Sequence, residues 1–195
     1  MMRVWAKDQP FGATAAAKSR LTVSWISLIL ICVRLSEGVE WGLHCGVLLA
    51  ALPGGALLSG NALAEFHGVS ESYLLKHLQA LVRSGLFESV PGPKGGFRLA
   101  RPPEAVSVLD VVVAIDGSEP AFRCTEIRQR GPAGLEPSAY RVPCAIHATM
   151  RRAEDAWREV LRTQTLADLV GLVAERTDKR AIARAVAWLE EHVRG

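Results

Sequence analysis

The apolar period of this chain changes abruptly at Gly85, and few folds accommodate that change. Through residues 70–84, Leu74, Leu78, Leu81 and Val82 recur at helical spacing. Ser70 stands in the N-cap place and Gly85 in the stop position. The next stretch, LFESV-PGPKGG-FRLAR, reads as two short strands around a Pro/Gly turn with Lys94 at its tip. Just upstream, ALAEFH forms a short helix with Asn61 as its expected cap and Leu63 and Phe66 as its apolar edge. Gly68-Val69-Ser70 makes the tight turn between the two helices.

Helix, turn, helix and basic hairpin together give the winged helix-turn-helix plan, mainly α with a small β-hairpin wing. In that plan the second helix enters a DNA major groove and the wing lies against the backbone. The whole chain carries a net charge of only +3, yet five Lys/Arg face two acids within residues 70–101. That local excess suits a phosphate surface. Tyr73, Lys76 and His77 are the expected base or phosphate contacts, and Ser70 and Ser72 the phosphate contacts near the helix N-terminus. Lys94 and Arg98 belong to the wing. The plain alternative for each is a solvated surface side chain.

Around this segment the pattern stays helical. Ser36 is the expected cap of a helix with Val39, Leu43, Val47 and Ala50/Ala51 inward, stopped by Pro53-Gly54-Gly55. Ser107 caps VLDVVVAIDG, which Gly117 ends. Residues 122–147 are broken by Gly131, Pro132, Gly134, Pro137 and Pro143, yet hold Cys124, Cys144 and His147. From Cys144 a long helix carries the stripe Ile146, Met150, Ala153, Trp157 and Val160, with Arg151, Glu154, Asp155, Arg158 and Glu159 mostly outside it. Alone in water such a helix is marginal, so a second copy of the chain is its expected partner. Residues 165–175 and 178–193 add two helices, with Leu166, Leu169, Val173, Ile182, Val186 and Leu189 expected inward. The expected organisation is therefore an extension at 1–33, a winged helix-turn-helix domain at 34–117, a loop at 118–144 and dimerisation and C-terminal helices at 145–195.

The extension needs separate treatment. Arg3, Lys7, Lys18 and Arg20 precede the apolar run at 23–33, which is shorter than the ~20 residues needed to span a bilayer. It resembles a signal h-region without the small-x-small cleavage site. A true start near Val33 is the expectation, ahead of tethering and of secretion. Four cysteines in 195 residues do not make a disulfide framework. The composition reads as cytoplasmic, where paired cysteines more often bind metal or do redox chemistry. Cys45 is expected in the core, and Cys32 falls in the extension.

The run LAEFHGVSESYLLKHLQALVRSGLFESVPGPKGGFRLARPPEAVSVLDVVVAIDG closely resembles the dimeric winged-helix transcriptional regulators that include IscR, NsrR and RsrR. The likeness covers residues 34–175 and is most specific in GPKGGFRLARPP and VLDVVVAIDG. Members typically begin just before an (R/K)LS segment, which agrees with a start near Val33. The resemblance implies a cytoplasmic homodimer that binds double-stranded DNA, with no enzymatic activity and no membrane partner. One group of the family uses three closely spaced loop cysteines plus a fourth ligand, a triple this sequence lacks. Another, RsrR-like, holds a 2Fe–2S cluster with two loop cysteines, a glutamate early in the first helix and a histidine ending the second. Glu40, His67, Cys124 and Cys144 match that set. By the resemblance, Glu40 and His67 come from one subunit and the cysteines from the other, and the cluster senses redox state.

Several simpler readings stand beside this one. Cys124 and Cys144 could serve as a thiol–disulfide pair, or as inert thiols, in a regulator without a cluster. His67 could be only a polar helix end, and Glu40 an acid favoured by the helix dipole. His147, in the C-x2-H pair with Cys144, is the reserve ligand, and His44 is expected to be structural. A small metal-dependent enzyme would also use Cys, His and Glu, but no H-E-x-x-H or H-x-E…C-x-x-C pattern is present. A zinc-structured adaptor without DNA binding fits poorly with the basic wing.

Overall fold

The computed structural model describes residues 35–194, so the expectations for residues 1–33, including Cys32, lie outside the described residues. The described chain is mostly helical with one antiparallel hairpin. In order it forms α1 (Glu37–Ala50), α2 (Gly60–His67), α3 (Glu71–Arg83), β1 (Phe87–Val90) and β2 (Gly96–Leu99), followed by α4 (Val108–Asp116), α5 (Ala145–Thr163), α6 (Leu166–Arg176) and α7 (Lys179–His192). None of the described helices is long and apolar enough to cross a membrane.

The core gathers under α3. Leu74, Leu78 and Leu81 are fully buried, as their spacing predicts, with Val82 at the edge of the stripe. Leu63 of α2 and Phe87 and Phe97 of the hairpin pack into the same core. The hairpin pairs Phe87 with Leu99 and Val90 with Gly96. Gly68 ends α2 in the left-handed conformation, φ 65°, which allows the tight turn into α3.

α1 buries a wider face than its expected apolar stripe alone marks, and glycines make up much of it. Gly38, Val39, Gly42, Cys45, Gly46, Leu48 and Leu49 are inside, while Leu43 and Val47 are half-buried. The glycines allow close packing. A Cβ at Gly46 would come within 3.1 Å of Leu166 of α6, and one at Gly42 would press on Ile115 of α4. Hydrophobic periodicity gives little weight to glycine, so it finds Val39 but not the glycine part of this face.

Two helix starts differ from expectation. Ser59 caps α2, its Oγ accepting from the Ala62 amide at 3.1 Å, and Asn61 lies inside the helix. Ser36 precedes α1 but sends its hydroxyl and its amide to the Asp116 carboxylate, joining the first helix to the end of α4. α4 and α6 begin side by side with the same device. Ser107 with Asp110 and Thr165 with Asp168 form reciprocal capping boxes, and Ser107 and Thr165 lie opposite each other in an antiparallel bridge.

On the C-terminal helices, Leu166 is buried, Leu169 and Ile182 are half-buried, and Val173 and Val186 are exposed rather than inward. Leu189 of α7 faces the core as expected, and Trp188 joins it in place of Val186. On α5, Ile146 and Val160 are 65% and 67% exposed while Trp157 is half-buried, so most of the stripe is left uncovered by the described residues. Leu78→Ala is expected to lower unfolding free energy by about 2–5 kcal/mol, measured by denaturant melts at fixed protein concentration.

Candidate DNA interface and cysteine loop

α3 presents Ser72, Tyr73 and Lys76 on its exposed side, with the Lys76 ammonium 5.9 Å from the Tyr73 ring centroid. The Ser70 and Ser72 hydroxyls lie 3.2 Å apart at the start of this helix. His77 is elsewhere: it is buried, its ring edge-on to Trp41 at 6.0 Å and to Tyr73 at 5.4 Å. Its place on α3 therefore serves the packing of α1 on α3 rather than the exposed face. In the wing, Lys94 stands exposed at the tip. The Arg98 guanidinium donates to both Glu88 carboxylate oxygens, at 2.9 and 3.1 Å, which offsets its charge and leaves Lys94 as the open cation.

A second feature forms behind α3. Glu40 and His44 are exposed on α1, one turn apart, and line a groove of about 990 Å³ together with Leu35, Tyr73, His77 and Asp116. His67, the last residue of α2, lies beside His44 with ring centroids 5.5 Å apart. Its Nε2 is buried and has no hydrogen-bond partner. Burial, reinforced by the neighbouring His44, pulls the His67 pKa below its usual value, so the ring is held neutral with a free lone pair.

Cys124, Cys144 and His147 lie on a separate feature. They line one pocket of about 220 Å³ with Phe122, Arg128 and Ile146. Cys124 is exposed and Cys144, at the N-cap of α5, is half-buried; both are free thiols. His147 also keeps a buried, unpartnered atom, Nδ1. Among the described residues, no three His, Cys, Asp or Glu side chains converge to hold a metal ion. The sequence-matched residues thus fall into two places, Glu40 and His67 in one and Cys124 and Cys144 in the other.

The loop between the cysteines is more ordered than its prolines and glycines suggest. It contains 3-10 turns at Ile127–Gln129 and Pro137–Tyr140. The Tyr140 hydroxyl accepts from the Leu135 amide at 2.8 Å and donates to the Arg128 carbonyl at 3.2 Å. Sequence reading missed its main anchor, Glu154, which it placed on the outer face of α5. That carboxylate is buried and accepts from Arg158 Nε at 2.6 Å, Trp157 Nε1 at 3.1 Å and the Ala121 amide at 3.4 Å. Burial alone would raise its pKa; these hydrogen bonds outweigh that and hold it low. A Glu-x-x-Trp-Arg run on one helix was the only signal available in the sequence.

Residues 35–171 match the Rrf2 family, described as an iron-dependent transcriptional regulator. YwgB of Bacillus subtilis (strain 168), which bears the name of an HTH-type transcriptional regulator, is 30% identical over 163 residues, 84% of this chain and 99% of that protein. Protein aau3 of Rhizobium meliloti (strain 1021) is 39% identical over 138 residues, 71% of this chain and 85% of its own length. Among solved structures, CymR, the global cysteine regulator of B. subtilis, aligns with TM-score 0.57 and 26% identity over 75% of this chain and all of its own. The IscR of T. potens aligns with TM-score 0.57 and 25% identity over 75% of this chain and 93% of its own.

The third cysteine among the described residues gives a test of these environments. Cys45 is fully buried, and burial pushes its thiol up to about 12. Its reactive thiolate is therefore scarce at neutral pH. Iodoacetamide at pH 8 is expected to modify Cys124 in the native protein and Cys45 only after denaturation, as read by peptide mass mapping.

Proposed function

The chain belongs to the Rrf2 family of transcriptional regulators, which are not enzymes, and on that premise we propose that it is a cytoplasmic, homodimeric regulator sensing redox state through a 2Fe–2S cluster held between subunits. α3 and the wing bind duplex DNA: Tyr73 and Lys76 meet base edges or phosphates, Ser70 and Ser72 meet phosphates, and Lys94 carries the main wing charge. The uncovered stripe of α5 pairs with a second copy.

The observation that carries the cluster reading is the division of its ligands. His67 offers a neutral, unpartnered nitrogen beside the exposed Glu40 and His44, while the free thiols of Cys124 and Cys144 lie in their own pocket. Neither set is sufficient alone, and two chains exchanging them supply two thiolates, one imidazole and one carboxylate. That donor set fits a 2Fe–2S cluster, whose irons favour thiolate and accept imidazole. When bound, the cluster supplies one-electron redox chemistry at a potential that imidazole ligation raises. The chain contributes the coupling. His67 ends α2, which packs on α3 and meets it again through the short turn at Gly68, so a bond at His67 bears on where α3 sits. The spacing of two such helices sets which half-sites a dimer can read.

A second reading rests on the shared pocket of Cys124 and Cys144: a regulator without a cluster, in which these thiols form a reversible disulfide or go unused. Staphylococcus aureus CymR has been solved in an oxidized form, with TM-score 0.54 and 28% identity over 74% of this chain and 98% of its own.

Protein purified without oxygen is expected to carry about two irons and two sulfides per site, with visible bands that bleach on reduction. Cys124→Ala and His67→Ala should each abolish them. A heterodimer of the two variants should regain one of its two sites, since one His67 and one set of cysteines then meet intact; ligation within one chain would leave both sites empty. Loss in Cys124→Ala with retention in His67→Ala would move the fourth bond to His147. Colourless, iron-free protein that still binds DNA would establish the thiol reading. In DNA titrations, Lys94→Ala is expected to reduce the slope of log affinity against log salt by about 1.

A further inference from the structure

α7 lies beyond the family segment at 35–171, yet it is joined to the wing. Trp188 meets Phe66 of α2 edge-on, with ring centroids 5.1 Å apart, and His192 stacks flat on Trp188 at 3.8 Å. Beyond the helix the chain becomes extended at Val193, and Arg194 pairs with Leu57 in an antiparallel bridge. The Leu57 amide donates to the Arg194 carbonyl at 2.7 Å and the Arg194 amide to the Leu57 carbonyl at 2.9 Å. Leu58 pairs in turn with Phe97 of β2, through bonds of 3.1 and 2.8 Å. Four chain segments therefore lie side by side: Arg194, Leu57 with Leu58, β2 and β1. Gly96 allows this closeness, because a Cβ there would overlap the Leu58 carbonyl.

The Arg194 side chain then reaches the wing turn. Its NH1 donates to the Pro93 carbonyl at 3.1 Å and to the Gly95 carbonyl at 3.0 Å, the residues on either side of Lys94. Bonds from a guanidinium are charge-assisted and stronger than those between neutral groups. A hairpin tip of proline and glycine has few contacts of its own, and here a cation from the chain's far end closes it.

We propose that residues 179–194 act in cis as a brace on the wing, with Arg194 as the positioning residue that holds Lys94 where it meets DNA. This rests on the DNA-binding reading above. The C-terminal segment then acts on DNA affinity without any requirement to touch DNA.

The test uses the full chain and its Arg194→Ala and Arg194→Lys variants. Two readouts are followed: amide hydrogen exchange at residues 94–98, and binding to a 30-base-pair duplex selected from a random pool by the parent protein. Arg194→Ala is expected to speed exchange at the wing about tenfold, with α3 unchanged, and to weaken binding about tenfold. Arg194→Lys, which keeps a charged donor, should recover most of both. Unchanged wing exchange in Arg194→Ala, or binding within twofold of the parent, overturns the brace. Failure of the parent to select any duplex would overturn the DNA reading instead, and the exchange readout would still judge whether Arg194 holds the wing.

Discussion

The close approach at the inner face of α1 is the constraint on which the remaining structure depends. Gly42 and Gly46 let Ile115 of α4 and Leu166 of α6 pack almost onto the helix backbone, with Cys45 fully buried between them. A Cβ at Gly46 would crowd the Leu166 methyls at 3.1 and 3.3 Å, and α6 starts in register with α4 through the Ser107–Thr165 bridge. Moving one of these helices moves the other. Because Ser36 is joined to Asp116 at the end of α4, the entrance to α1 is fixed by the same assembly. The groove that holds Glu40 and His44 therefore stands on a helix fixed by tight backbone packing, with Leu35, Tyr73 and His77 among its walls.

The parts of the fold that could be read in the sequence are those where one interaction dominates. α3 was legible because its leucines recur at helical spacing and all face one core. The hairpin was legible because its turn chemistry is local. α1 was legible in part: its periodicity places Val39 inside, while Gly42 and Gly46, which allow the closest contacts, carry no apolar signal. Val173 and Val186 were misplaced for a different reason: α6 and α7 carry apolar residues on more than one side, and Leu166 and Trp188 decide the orientation. Glu154 was hidden because its burial depends on the Ala121 amide, 33 positions away in the chain.

The same distinction applies to the site. Lys94 at a Pro/Gly turn could be read directly as a wing-tip cation. His77 could not be separated from its exposed neighbours, because Trp41, which buries it, lies on another helix. The four matched ligand positions came through likeness to relatives, and their geometry supports a division of labour between two chains. His67 is kept neutral and unpartnered by its surroundings, a cost to the isolated fold that a bond from outside would offset. By contrast, Cys124 is exposed and Cys144 half-buried at the start of α5.

The two ends of the cysteine loop are both held by α5: Glu154 fastens the Ala121 end, and Cys144 begins the helix itself. Such a loop resembles a handle attached twice to one rod. Lengthening a handle costs little, since each doubling of a flexible loop adds only about 0.6 kcal/mol of closure entropy. An insertion between its two 3-10 turns would therefore cost little closure entropy beyond the Tyr140 bonds it disturbs. The attachment points, with the thiols close to them, would stay in place. A lineage can remodel what approaches the cysteines without rebuilding the helix that carries them.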